Sequence, residues 1–178
     1  HSITLSEELL KGREFEDYVL SLFNLQDNDE LILQEWQGDK SYGKVKAENN
    51  SNPDFVFRYR QNEFAVECKW REKLSRDLSK DLFPIKRIEN YKHFSEVRHM
   101  PVTIILGVGG EPCNPELLYK IPLNDIVPII SGNLLLANYL LPASSFDVSM
   151  FLRQEENTKE KAYNLSEKRK KCTKDVQD

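Results

Sequence analysis

The sequence predicts an α/β fold whose central mixed sheet contains an antiparallel hairpin and has flanking helices, in the order helix, three strands, helix, strand. Three features of the sequence lead to this prediction: an early stretch with helical apolar spacing, two apolar strands around a short polar turn, and a later apolar run. With 178 residues the chain can form one domain with a substantial core. We expect that domain over residues 1–152, followed by a charged C-terminal tail, helical or disordered, over 153–178.

The first helix is expected to begin with Ser6 as its cap and to end near Phe23. Its apolar side chains recur three and four residues apart and form one stripe that would face the sheet. Glu16 lies on the shoulder of this stripe beside Gly12, whose small size would let the helix pack closely. Leu31 to Trp36 alternates in part between apolar and polar residues and is predicted as the first strand.

Two further strands are predicted at Asp54–Arg60 and Glu63–Trp70, with the two residues between them forming the hairpin turn. In that register Asp54 lies opposite Lys69, and Glu67 points to the same face, because side chains alternate along a strand. The opposite face then receives an almost wholly apolar set: Phe55, Phe57, Tyr59, Phe64, Val66 and Cys68.

The second half of the chain contains one more helix and two more predicted strands. Ile85–Val97 is expected to be helical and to stop before Pro101, since the residue before a proline disfavours helix. Pro101–Val108 is almost continuously apolar, which is typical of a buried central strand. Leu117–Leu123 is a short further strand, and residues 125–141 are too mixed to assign.

The charge balance argues against a protein that coats nucleic acid through bulk charge, because 29 acidic residues outnumber 25 lysines and arginines. A local basic groove remains compatible with it. Three scattered cysteines without a CxxC pair argue against a disulfide framework and a zinc site, so we expect a cytoplasmic protein. No stretch predicts a membrane helix, and no membrane partner is expected. The chain begins with His1, so it could be part of a longer polypeptide. A homodimer is also compatible with the sequence.

The polar face of the hairpin has the groups that phosphodiester hydrolysis requires. Mg²⁺ or Mn²⁺ would be held by Asp54, Glu67 and a main-chain carbonyl, because such a cation prefers oxygen ligands and keeps several waters. The metal would polarise the phosphate, and Lys69 would orient the attacking water. An exposed hairpin face with an Asp54–Lys69 ion pair would have the same sequence pattern, so it is an alternative interpretation of these residues.

Pro53-Asp54 followed by Glu67-Cys68-Lys69 resembles the motif of the PD-(D/E)xK nuclease superfamily. Phe64–Lys69 is similar to the motif strand of its Mrr-type and Holliday-junction-resolvase-like branches, and Gly12–Glu16 looks like the family's leading helix. The likeness covers roughly residues 8–123. It implies a restriction-endonuclease-like fold with a three-layer core and a divalent metal as cofactor.

The resemblance also implies roles for individual residues. Asp54, Glu67, Lys69 and Glu16 would be catalytic, and the metal would be held by Asp54, Glu67 and the backbone carbonyl of Cys68. The alternative for Glu16 is an exposed helix glutamate without a role. Cys68 is expected to contribute its carbonyl and not its sulfur, since a cysteine at this place would be a small core residue.

Candidate substrate-binding residues follow the motif strand. Arg87 stands four residues before Tyr91, where several branches of the family carry glutamine, and both are expected near the site. A surface arginine with a core tyrosine is the alternative for this pair. Arg71 and Lys73 belong to the stretch Lys69–Lys92, which has eight lysines and arginines against four acidic residues and would line a phosphate-binding groove. A solvated loop and helix face is the alternative for this stretch.

The residues and the resemblance together predict a metal-dependent nuclease that hydrolyses DNA phosphodiester bonds, of restriction or repair type. The alternative is a catalytically weakened module of the same fold that binds nucleic acid or a protein partner. An accessory domain of a longer polypeptide is a third interpretation.

Overall fold

The computed structural model describes residues 5–38 and 52–152, and the tail expected at 153–178 lies outside them. The elements are α1 (Leu5–Phe23), β1 (Leu31–Trp36), β2 (Phe55–Tyr59), β3 (Asn62–Arg71), α2 (Leu78–Asp81), α3 (Ile85–Arg98), β4 (Val102–Val108), β5 (Leu117–Pro122) and α4 (Ile126–Ile130). Short 3₁₀ turns account for much of the chain after β5. The predicted order of helix, three strands, helix, strand is confirmed, with the short α2 added before α3.

The five strands form one mixed sheet in the order β1-β2-β3-β4-β5. Only β3 and β4 run parallel, and the other neighbours are antiparallel. A parallel pair needs a crossover, and the chain from β3 to β4 supplies it through α3. The α/β fold class with a central mixed sheet, an antiparallel hairpin and flanking helices is therefore confirmed.

The sheet is buried on both faces, so the chain has two cores. On the α1 side, the helix residues Phe15, Val19 and Phe23 pack with the predicted apolar hairpin set. On the α3 side, the core contains Ile88, Tyr91, Phe94, Val56, Ala65, Ile104 and Leu106. The interpretation of the second hairpin face as an exposed surface is wrong, because α3 covers most of it.

Close packing of α1 depends on Gly107 of β4 and not on Gly12. A Cβ atom at Gly107 would lie 2.4 Å from Cε1 of Phe15, so the aromatic ring occupies the space that a side chain would need. A Cβ atom at Gly12 would meet nothing within 4 Å. The expectation that Gly12 brings the helix close to the sheet is therefore wrong. α1 begins at Leu5, one residue before the cap expected at Ser6.

The hairpin register differs from the predicted one by two residues. Tyr59 pairs with Asn62, and the turn is formed by Arg60 and Gln61. Arg60 takes a left-handed φ of 57° and donates its main-chain N–H to the carbonyl of Glu30 at 3.0 Å. This contact with the chain before β1 stabilises a turn that local sequence does not favour. A shift of two residues preserves the face of every side chain, so the face assignment holds.

Other elements end close to where the sequence places them. α3 extends to Arg98 and is terminated by His99, which has a left-handed φ of 53°. Within residues 5–38 and 52–152, no helix is long and apolar enough to span a membrane.

Candidate active site

Two carboxylates lie where β3 extends beyond the end of β2. After the last pair of the ladder, Phe55 with Val66, the side chain of Asp54 takes the place of the missing strand. Its Oδ2 accepts the main-chain N–H of Cys68 at 2.8 Å, and its own main-chain N–H donates to Oε1 of Glu67 at 3.1 Å. The structure therefore brings Asp54 beside Glu67, whereas the sequence places it opposite Lys69.

The two carboxylates repel one another in a poorly solvated place. Burial, and then the charge of Glu67, raise the pKa of Asp54 well above its usual value, while the N–H of Cys68 and the charge of Arg87 lower it. Tyr91 donates its hydroxyl to Oε2 of Glu67. Burial followed by the charge of Glu67 raises the pKa of Tyr91, so the hydroxyl remains a donor. A proton or a bound cation would relieve this accumulation of negative charge.

Glu16 on α1 is half-buried and belongs electrostatically to the same group of carboxylates. Burial, and then the charge of Asp54, raise its pKa from 4.5 to about 8. Its Oε1 accepts the indole N–H of Trp36 at 3.4 Å. The side chain therefore does not extend freely into solvent, and α1 brings a third carboxyl to the end of the hairpin.

Lys69 lies on the α3 side of the sheet, as Glu67 does. Its ammonium donates to the carbonyl of Leu82 at 2.9 Å and lies 4.3 Å from the ring centroid of Phe83. Burial, and then the neighbouring positive charge of Arg71, lower the pKa of Lys69 from 10.5 to about 8. At neutral pH the amine is still mostly protonated, and it can lose its proton within about one pH unit of neutrality.

An open cleft of about 490 Å³ runs over this end of β3. It brings together five of the predicted site residues: Glu67, Cys68, Lys69, Arg71 and Arg87. Arg71 is half-buried and donates to the carbonyl of Trp70 at 2.9 Å, and burial lowers its pKa.

The other four predicted site residues, Asp54, Glu16, Tyr91 and Lys73, lie outside the lining of the cleft. Tyr91 is buried, and its hydroxyl supports Glu67 through a hydrogen bond. Lys73 is exposed. Of the eight lysines and arginines in the basic stretch from Lys69 to Lys92, the cleft uses only Lys69, Arg71 and Arg87.

The donor set fits a hard divalent cation. The main-chain N–H and C=O of one strand residue point to the same neighbouring strand, so the carbonyl of Cys68 lies at the same open edge as its N–H. Asp54 lies at that edge, and its main-chain N–H donates a hydrogen bond to the carboxylate of Glu67. Within residues 5–38 and 52–152 no three His, Cys, Asp or Glu side chains form a metal cluster. The fit therefore depends on two carboxylates, a carbonyl and waters, a combination that Mg²⁺ accepts.

Sequence reasoning missed the contacts that support Glu16 and Lys69. Trp36 donates to Glu16, and the guanidinium of Arg13 lies 4.1 Å from the Trp36 ring. A tryptophan at the end of a predicted strand near the motif was the available signal. Leu82 and Phe83, which contact Lys69, begin a short apolar run after a polar stretch, and such a run indicates a buried contact.

Comparison with known proteins gives distant likenesses to solved structures. No protein-family model matches the chain, and no curated protein sequence matches it. Among solved structures, the chain is similar to Hjc, a Holliday junction resolvase from Archaeoglobus fulgidus, with a TM-score of 0.43 and 15% identity. That alignment covers 63% of this chain and 75% of the archaeal one.

Proposed function

We propose that the protein is a metal-dependent nuclease that hydrolyses DNA phosphodiester bonds, of restriction or repair type. The observation that carries the proposal is the pairing of Asp54 with Glu67 at the open edge of β3. Lys69 projects on the same side, and the adjoining cleft has basic side chains on its walls. Converging carboxylates beside a lysine and two arginines suit a reaction in which charge develops on a phosphate.

The cofactor would be Mg²⁺ or Mn²⁺, held by Asp54, Glu67 and the main-chain carbonyl of Cys68. When bound, it supplies Lewis acidity toward the scissile phosphodiester. Asp54 and Glu67 would have to be deprotonated to hold the cation, so the raised pKa of Asp54 would make cation binding stronger at higher pH.

The protein's own residues would position the substrate and handle protons. Arg87 and Arg71 would bind phosphates next to the scissile one. Lys69 would donate a hydrogen bond to the attacking water or the phosphate. Glu16, with a pKa of about 8, can hold or release a proton near neutral pH, which suits general acid–base work.

Cleavage of plasmid, linear duplex and single-stranded DNA in Mg²⁺, Mn²⁺ or EDTA tests the proposal. We expect cutting with a divalent metal and none in EDTA. Glu67→Ala and Asp54→Ala should abolish cutting without weakening DNA binding, because each removes an oxygen ligand and a negative charge near phosphate. Lys69→Ala should chiefly reduce the rate. A folded Asp54→Ala variant that cuts at the wild-type rate would contradict the mechanism.

A binding module without catalysis is the second candidate, and the position of Lys69 favours it. The ammonium of Lys69 donates a hydrogen bond to the main-chain carbonyl of Leu82 and not to a carboxylate. In this position it does not contact the carboxylates with which it would act in catalysis. Wild-type protein that binds DNA tightly yet never cuts it, with any divalent metal and any DNA form, would support this candidate over the nuclease.

A further inference from the structure

Trp70 lies in the cleft directly after the lysine of the motif strand. The side chain is half-buried: part of it packs against the core beneath α1, and part lines the cleft. Its indole N–H donates to the carbonyl of Gly109 at 3.1 Å, which fixes the ring relative to β4. The indole of Trp70 donates to Gly109 and not to Asp54 or Glu67, and it has no role in the proposed hydrolysis.

A fixed aromatic side chain in a nucleic-acid cleft is suited to stacking on a base. Aromatic rings bind bases of any sequence, since every base has a π face, and basic side chains beside the ring hold the backbone. Lys11 lies 5.8 Å from the centroid of the Trp70 ring, and Arg71 is the next residue along β3. Lys11 lies over the ring itself, and the guanidinium of Arg71 donates to the main-chain carbonyl of Trp70 at 2.9 Å, so both cations are close enough to contact phosphates next to a stacked nucleotide.

The charge of the cleft gives a second, independent argument. Four of its lining residues are basic (Lys11, Lys69, Arg71, Arg87) and three are acidic (Glu8, Glu67, Glu72). This near balance, in a chain of net charge −4, leaves little attraction for phosphates through charge alone. Binding of a strand in this cleft would need an additional contribution that does not depend on charge.

We propose that Trp70 is a stacking platform for a nucleobase and that the cleft takes DNA in which a nucleotide beside the scissile bond is unpaired. The proposal rests on the proposed function, because it assumes that the cleft binds DNA. In a duplex both faces of each base are covered by its neighbours, so only an unpaired, terminal or extruded base can offer a face to the ring. The favoured substrates are therefore single strands, gaps, flaps and branch points.

The fluorescence of Trp70 reports stacking directly, because the chain has only two tryptophans. In a Trp36→Phe background, single-stranded oligothymidylate of about ten nucleotides should quench the remaining tryptophan. Long linear duplex at equal nucleotide concentration should quench it little. The titrations are made in EDTA, and again in Mg²⁺ with Glu67→Ala added, so that no cleavage occurs.

Two substitutions separate stacking from a structural role of Trp70. Trp70→Leu keeps apolar bulk without an aromatic ring, and we expect about tenfold or more weaker binding of oligothymidylate. Trp70→Phe keeps a ring and should restore most of that affinity. Duplex affinity should change less than about twofold in both variants, and circular dichroism checks folding.

The outcomes distinguish this inference from the proposed function. Failure of every DNA form to bind the wild-type protein would overturn both. Wild-type binding of DNA without quenching of Trp70 by single strands would overturn the stacking platform alone. So would equal losses in the leucine and phenylalanine variants, or equal losses for single-stranded and duplex DNA.

Discussion

The main-chain N–H of Cys68 donates to Oδ2 of Asp54 at 2.8 Å, so a side chain completes the hydrogen bonding of β3 where β2 has ended. Asp54 therefore has a structural contact in addition to its proposed role as a metal ligand. These two roles respond differently to substitution, because the first needs only an acceptor atom and the second needs a charged oxygen.

Asp54→Asn should be at least as stable as the wild type, whereas Asp54→Ala should be less stable than Asp54→Asn by about 1–3 kcal/mol. An amide oxygen can still accept the N–H of Cys68, and a neutral side chain no longer repels Glu67. Alanine leaves the N–H without its acceptor. Urea denaturation measures the difference, and both variants should fail to cut DNA. Equal stability of the two would show that the contact with Cys68 contributes nothing.

The folded state should lose part of its stability between about pH 5 and pH 8 because of Glu16. Its pKa is raised from 4.5 to about 8, so across this window the folded chain keeps a proton that the unfolded chain has released. The free energy of unfolding then falls as pH rises, by up to about 1.4 kcal/mol per pKa unit. Glu16→Gln stays neutral and should lose less stability over the same window.

The matched control for this pH dependence is Glu14→Gln, since Glu14 is exposed on the same helix. Urea denaturation at about pH 5, 6.5 and 8 gives the comparison. The ionisation of Lys69 affects stability over a higher pH range. Its pKa is lowered from 10.5 to about 8, so its contribution to the free energy of unfolding rises with pH between those values. Identical pH profiles for the wild type and Glu16→Gln would remove Glu16 from the group of carboxyls around Asp54.

Gly107→Ala should destabilise the fold by roughly 1–3 kcal/mol or more, because the added methyl group would overlap the ring of Phe15. Gly12→Ala is the matched control, since Gly12 is exposed within α1 and has open space around it. Alanine there should stabilise by roughly 0.5–1 kcal/mol through helix propensity. Thermal unfolding of both variants tests the pair, and a Gly107→Ala variant as stable as the wild type would contradict close packing of Phe15 on Gly107.

Arg87→Ala should weaken DNA binding and reduce the slope of log affinity against log salt by about one, as expected for the loss of one phosphate contact. Lys73→Ala removes the same charge outside the lining of the cleft and should have a smaller effect. Fluorescence anisotropy at several salt concentrations compares the two variants. Equal effects would mean that overall charge governs binding.

Much of the fold was predictable because it follows from residues that are neighbours in the chain. The spacing of apolar residues identified α1, α3 and all five strands, with ends shifted by a few residues. The alternation of side chains along the hairpin assigned Asp54, Glu67 and Lys69 to one face and the aromatic set to the other. The assignment is correct although the predicted register is wrong, because the register error is two residues and the alternation has a period of two.

Contacts between distant segments were not predictable in this way. The register depends on Glu30, which stabilises the left-handed Arg60, and the close approach of α1 depends on Gly107 of a strand far along the chain. Likewise, Lys69 reaches Leu82 because the chain before α3 folds back over the end of β3.

By itself, then, the sequence determined which elements form, which side chains share a face and which residues resemble a nuclease motif. Only the tertiary structure decided that Asp54 lies beside Glu67, that α3 covers the second face of the sheet, and that three of the eight lysines and arginines of the basic stretch line the cleft. The physical reason is that periodicity constrains each segment separately. Partners across the fold are chosen by packing and hydrogen bonding between segments that have no fixed spacing in the chain.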